Sequence, residues 1–202
     1  MAEADIPLAY TIGTDTNVLH TVAPPTVLAV AGSDPSGGAG LQADLATIAA
    51  FGCHGAGAVT AVTIQDTRDV HDFRTLPGEE VARQMRAVLD DIPVAAVKVG
   101  MVGTPENARA IADVLADHPD VPAVVDPVLA AEGGGSLAEA DLVAALHGTL
   151  MPRASLVTPN RLEAERIAGT GGPLEAVADE LLREGAHYVL IKGGHADTTR
   201  AD

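Results

Sequence analysis

Two lysines are all the chain has, and both stand in the same local context. Lys98 in "AVKVGM" and Lys192 in "VLIKGGH" each close an apolar, strand-like run just before a glycine. A compact ammonium at such a place suits a phosphate. A strand end is also an ordinary solvated position, and the balance favours function at Lys192 and solvation at Lys98. The stretch "AGSDPSGGAGLQADL", Ala31 to Leu45, follows the apolar run "TVLAV" and places Gly32, Gly37, Gly38 and Gly40 beside Asp34. It is neither a Walker-type phosphate loop, because no Lys-Ser/Thr pair follows the glycines, nor a G-x-G-x-x-G dinucleotide turn. What remains is a strand, a glycine turn and a helix start whose free N–H groups let a ligand approach the backbone closely. The plain alternative, a tight turn capped by Asp34 or Ser36, needs one glycine rather than four in nine residues.

Three further carboxylates could face the same ligand. Asp44 falls about one helical turn past the glycines, where a surface aspartate is the simplest account. "TPNRLEAE" follows a strand directly. Its Asn160 and Glu163 have the spacing of a helix capping arrangement, and equally place an amide and a carboxylate where a hydrated Mg²⁺ could bridge phosphates. Spacing does not separate the two. Asp126 in "VVDPV" ends another strand. The seven histidines show no pair at metal-ligand spacing, and the single Cys53 excludes an internal disulfide and a four-thiolate zinc site.

These residues need elements to position them, and the apolar pattern supplies a candidate set. From Thr26 onward, β-branched runs alternate with helix-period segments: "TVLAVA", a helix from about Gly38 to Phe51, "GAVTAVTI", "EEVARQMRAVL", "VAAVKV", "PENARAIADVLA", "VPAVVD", "EADLVAALHGTL", "ASLVT", a helix from Asn160, "PLEAVADELLRE" and "HYVLIK". Continuous rather than alternating runs predict strands buried on both faces. The order predicts a parallel sheet covered by helices, with ligands beyond the carboxyl ends of the strands. Residues 1–25 carry no convincing period and are expected to form a poorly ordered extension, leaving 26–202 as one domain.

The formal charge of −16 repels a nucleic-acid backbone, so nucleic acid is not an expected partner. Apolar runs fall short of a membrane span, and the first residues lack the basic and apolar regions of a signal peptide. The expected location is the cytoplasm.

Taken in order, "AGSDPSGGAGLQADL", "VTAVTIQDT", "KVGMVGT", "DPV", "LVTPNRLEAE" and "VLIKGGH", from Val27 to His195, resemble the hydroxymethylpyrimidine and phosphomethylpyrimidine kinases of thiamine biosynthesis, in the ribokinase-like superfamily. The resemblance implies a three-layer α/β/α fold with a mostly parallel central sheet. It also implies ATP- and Mg²⁺-dependent phosphorylation of 4-amino-5-hydroxymethyl-2-methylpyrimidine and then of its monophosphate, in a protein that forms a homodimer. Residue by residue, it assigns Gly32, Asp44, Gln65 and Met101 to the aminopyrimidine, Asp126 and Glu163 to Mg²⁺ and the phosphates, and Asn160, Lys192 and Gly194 to the nucleotide.

Two departures accompany it. The loop after "DPV" carries Glu132 where the family commonly has a lysine before the glycine. The family's Gly-rich helix start, which carries the anion hole and the group that activates the alcohol, has no match in 1–202. The family's last elements are therefore expected to be missing, and no catalytic residue is assigned. The alternatives are a pyridoxal-type kinase of the same superfamily and a non-catalytic pyrimidine-binding remnant.

Overall fold

The computed structural model describes residues 23–129, 136–183 and 185–193, with backbone alone at 136–139. The expected extension lies almost entirely outside the described residues. Within them, six strands form one parallel sheet in the order β2-β1-β5-β6-β7-β8: β1 Thr26–Ala31, β2 His54–Val59, β5 Val94–Val99, β6 Ala123–Val125, β7 Leu156–Val157 and β8 Tyr188–Val189. The chain runs from β1 outward to β2, then returns to place β5 on the other side of β1. A crevice between β1 and β5 at their carboxyl ends follows from that reversal.

Alternation along β1 divides the molecule into layers. Leu28 and Val30 point into the main core with Val97, Val99, Ile111, Leu146 and Leu150, beneath α2 Gly78–Leu89, α3 Pro105–Asp117, α4 Ser136–Ala145, α5 Arg161–Ala168 and α6 Leu174–Arg183. Ala29 and Ala31 point the other way, against Leu41, Leu45 and Ile48 of α1 Gly40–Ala50. Among the described residues α1 alone covers that second face. Residues Ala96, Val124 and Leu156 on it remain half-buried, and the expected burial on both faces therefore holds for β1 but not across β5–β8.

The run "GAVTAVTI", read as one strand, is two. β2 ends at Val59, the buried Thr60 turns the chain, and Ala61–Gln65 leaves the sheet as β3 to pair antiparallel with β4 Val70–Thr75. Thr60 makes this pivot possible by satisfying its polar groups locally. Its N–H donates to Ala31 O, its hydroxyl to Met101 O, and its carbonyl accepts from Leu76 N. The sequence pattern did not yield β4, because "VHDFRT" is an exposed, largely polar strand with no apolar run to announce it.

The glycine turn between β1 and α1 is built around Asp34, which is buried at 2% exposure. Its Oδ1 accepts from the N–H and hydroxyl of Ser36, each at 2.8 Å, and its Oδ2 from Ala39 N–H at 2.7 Å. The helix start then passes directly over the end of β1, where Leu41 N–H donates to Gly32 O at 2.8 Å. Gly40 sits at φ +55°, and a Cβ there would collide with the Gly32 carbonyl oxygen. Burial tends to raise the Asp34 pKa, but hydrogen bonds from the Ser36 hydroxyl, the Gln65 side chain and the Ser36 and Ala39 N–H groups outweigh it and hold the group at about 2.

Two outcomes follow for this turn. Gly40→Ala is expected to lose about 1–3 kcal/mol from the left-handed backbone alone, before the collision is counted, lowering Tm by roughly 5 °C; an unchanged Tm would show that α1 does not need this approach. For Asp34, the folded pKa lies below the ordinary 3.8, so its stabilisation is complete above about pH 4 and disappears as pH falls towards 2. The advantage of wild type over Asp34→Asn in urea unfolding should shrink across that interval, and a constant difference would argue against the clamp.

Candidate active site

The crevice between β1 and β5 is occupied by a cavity of about 380 Å³. Its floor is the carboxyl edge of the sheet, with Ala31 and Gly32 around the end of β1, Lys98 and Gly100 around the end of β5, and Asp126 and Val128 after β6. The turn contributes Asp34 and Gly40, α1 contributes Asp44, and the β3–β4 hairpin closes the outer side with Thr63, Gln65, Val70 and Phe73. Antiparallel pairing of Thr63 with Phe73 and of Gln65 with Val70 puts these four on the same face of the hairpin. Gly32, Asp44, Gln65 and Met101, far apart in sequence, all line this one cavity.

Thr63 anchors the hairpin, its hydroxyl donating to Ser33 O at 2.6 Å. Met101 lies beside Gly32, where a Cβ would come within 3.4 Å of the sulfur. At the hairpin tip, Asp66 accepts from Arg68 and Asp69 N–H and pairs with His71 Nε2 at 2.9 Å. The His71 contact, followed by the two backbone bonds, brings the Asp66 pKa down to about 2. The result is a closed turn immediately after Gln65.

Asp44 is not the solvated aspartate that a helix position suggests. Its side chain is 18% exposed, and both oxygens accept from Lys98 Nζ, at 2.8 and 2.7 Å. Register explains the meeting. Lys98 pairs with Ala29 of β1 and Val124 of β6 and so stands on the face that α1 covers. Asp44, three residues after Leu41 and four before Ile48, is on the helix face turned towards the sheet. Lys98 is the lining residue that a strand-end reading passed over. Its signal was present in the sequence as a lone charge inside an otherwise apolar strand.

The remaining assigned residues extend the site along the carboxyl edge towards β8. Asp126 receives Lys192 Nζ at 2.7 Å, and Lys192 N–H donates to Pro159 O at 2.8 Å while bridging to Asn160 in parallel register. Asn160 and Glu163 form a complete capping box for α5, with Glu163 N–H on Asn160 Oδ1 at 2.9 Å and Asn160 N–H on Glu163 Oε2 at 2.8 Å. The capping member of the two alternatives is thus realised. Among the described residues no three His, Cys, Asp or Glu side chains gather as a metal site. Single carboxylates on one rim fit a Mg²⁺ that keeps its water and binds through phosphates, and do not fit a dedicated protein cage. Gly194 and Glu132 lie outside the described residues.

Comparison with known proteins identifies the family and the fold. The family model described as phosphomethylpyrimidine kinase matches residues 34–202. The hydroxymethylpyrimidine/phosphomethylpyrimidine kinases of Rhizobium meliloti and Haemophilus influenzae are 47% identical over 173 residues and 41% identical over 180, covering 83% and 87% of this chain. The chain spans 65% and 67% of the length of those two relatives. Among solved structures, the phosphomethylpyrimidine kinase of Clostridium difficile matches with a TM-score of 0.76 at 40% identity, over 86% of this chain and 77% of that one. The pyridoxal kinase of Staphylococcus aureus, solved with AMP-PCP and pyridoxal, matches with a TM-score of 0.74 at 34% identity, over 86% and 64%. The layered sheet is the ribokinase-like fold of these kinases, and the chain belongs to the phosphomethylpyrimidine kinase family.

Proposed function

We propose that residues 26–202 form a kinase unit that binds 4-amino-5-hydroxymethyl-2-methylpyrimidine, or its monophosphate, in the β1–β5 cavity and presents its 5-substituent to the γ-phosphate of ATP. The observation that carries this reading is the convergence of Gly32, Asp44, Gln65 and Met101 on one cavity at the switch point of the sheet. An aminopyrimidine offers an N–H donor beside a ring-nitrogen acceptor, and a carboxylate and a primary amide are the side chains able to pair with such an edge. Met101, Val70 and Phe73 supply the apolar contact for the ring and its methyl group.

The nucleotide would lie along the same rim towards β8. Lys192 and Asn160, with Gly194 beyond them, would hold its phosphates, and Asp126 and Glu163 would hold the hydrated Mg²⁺. Bound there, Mg²⁺ would neutralise charge on the transferring phosphoryl group. Lys192 is paired with Asp126, so its ammonium is already drawn to the rim where phosphate oxygens would arrive. The chain's excess of acidic residues gives no long-range attraction for ATP, which leaves binding to such local donors. The protein would work in the cytoplasm, as an enzyme of thiamine biosynthesis. A homodimer is the assembly proposed with it.

A second reading, phosphorylation of pyridoxal, is favoured by the Staphylococcus aureus pyridoxal kinase, whose structure contains that ligand. A direct comparison separates them: the chain with MgATP is assayed for ADP release and for phosphorylated product by mass, using the aminopyrimidine alcohol and pyridoxal in parallel. The aminopyrimidine is expected to be phosphorylated in preference to pyridoxal, and Asp44→Asn should raise its KM roughly 10- to 100-fold while leaving the KM for ATP nearly unchanged. Exclusive use of pyridoxal, or aminopyrimidine binding without any MgATP-dependent product, would overturn the assignment.

A further inference from the structure

Lys98 is the cation of the cavity wall among its lining residues, where Asp34, Asp44 and Asp126 are the acids. Its side chain is 30% exposed, and two of its three N–H groups are spent on the two oxygens of Asp44. A partly buried ion pair between α1 and β5 could be no more than a fastening. Two observations go further. Both members line the cavity rather than lying beside it. And the backbone next to the ammonium has been left bare: a Cβ on Gly100 would stand 2.8 Å from Lys98 Nζ and 3.3 Å from Ala31 Cβ. A side chain at residue 100 would oblige the ammonium to shift against the carboxylate.

We propose that Lys98 is a positioning and specificity-determining residue. It fixes Asp44 as an acceptor-only carboxylate in the wall, and the cavity thereby selects a ring that presents an N–H donor at that place. The inventory of groups supports this. A carboxylate oxygen has two lone-pair sites, and the ammonium takes one on each, leaving acceptor capacity for a ligand N–H. The third N–H of Lys98 stays free of the carboxylate. With the Gln65 amide, the fixed carboxylate offers acceptor and donor in one cavity, the complement of the amino-and-ring-nitrogen edge of an aminopyrimidine. A ring with an anionic oxygen there would meet the carboxylate and be repelled. The inference rests on reading the cavity as the aminopyrimidine site.

The test is titration calorimetry on the 202-residue chain with two ligands, 4-amino-5-hydroxymethyl-2-methylpyrimidine and the same molecule with hydrogen in place of the amino group. Wild type is expected to prefer the amino ligand by roughly 10- to 100-fold, the range of a hydrogen bond to a charged group. In Lys98→Met that preference should collapse to within about threefold, chiefly through weaker binding of the amino ligand. Gly100→Ala, which keeps every charge, should reduce the preference as well. In the Lys98→Met background it should have little additional effect on the preference, because the group it displaces is already gone. If Lys98→Met loses its circular dichroism signature, the Gly100→Ala result decides alone.

Retention of the full preference in the folded variants overturns the proposal. So does an equal loss of affinity for both ligands, which is what a mere fastening would give. Wild type that binds neither ligand is a distinct outcome: it defeats the reading of the cavity itself, and the inference with it.

Discussion

Everything at the rim depends on how closely α1 can approach the end of β1. The helix start rests on the Gly32 carbonyl through Leu41 N–H, and the contact exists because Gly40 carries no side chain to strike that oxygen. Asp34 then gathers the intervening loop onto one buried carboxylate. A loop tied at so many points cannot drift, so the fifth residue of α1, Asp44, is delivered to a fixed height above the sheet. Without that approach Asp44 would have no register with Lys98, and the cavity would lose one wall. Gly40 therefore acts through packing and Gly37 through its backbone, at φ +77° with open space around it, and a nucleotide cradle is not needed to explain them.

Charge economy gives the rim its second constraint. In a chain of net charge −16 with only two lysines, both lysines are paired with cavity-lining aspartates, Lys98 with Asp44 and Lys192 with Asp126. Acidic groups are abundant and solvated elsewhere, but a carboxylate near an apolar pocket carries a desolvation cost that a surface one does not. A compact ammonium on a strand end can offset that cost without filling the pocket, which a guanidinium fork would do. Exposed pairs such as Arg86 with Asp117 contribute little by comparison. Placement of the rare lysines, more than the total charge, is what describes the site electrostatically.

Much of this was legible in the sequence because the main signals are local. The order of strands and helices follows from continuous apolar runs broken by capped helices. Thr104, just before Pro105, caps α3, its hydroxyl accepting from Asn107 N–H at 3.1 Å, and Gly52 follows the end of α1 at φ +72°. The meeting of Gly32, Asp44, Gln65 and Met101 was reachable only through family resemblance, since no periodicity reports which loop ends share a rim. Other features are tertiary by nature. Thr60 reads as one more β-branched residue in a strand, and its role as a pivot arises from a hydroxyl that reaches Met101 forty-one positions away. Lys98 reads as a solvated end because sequence cannot show that a helix carboxylate stands over it.

The hairpin illustrates how a short sequence can serve two environments. Along β3, Ala61 and Thr63 are buried and Gln65 is half-buried towards the cavity, while Val62 and Ile64 point outward with 54% and 61% exposure. Alternation of this kind normally marks the outward positions as polar, and two β-branched apolar residues there depart from the rule. Their propensity for extended backbone helps a two-stranded unit that lacks a third strand for support and would be marginal on its own. The remaining support comes from its ends. Thr60 is tied to the sheet, Thr63 to Ser33, and the tip is closed by Asp66 with His71. Gln65 is the residue between those ties, so its amide is held over the cavity by the hairpin's own fastening together with its hydrogen bond to Asp34.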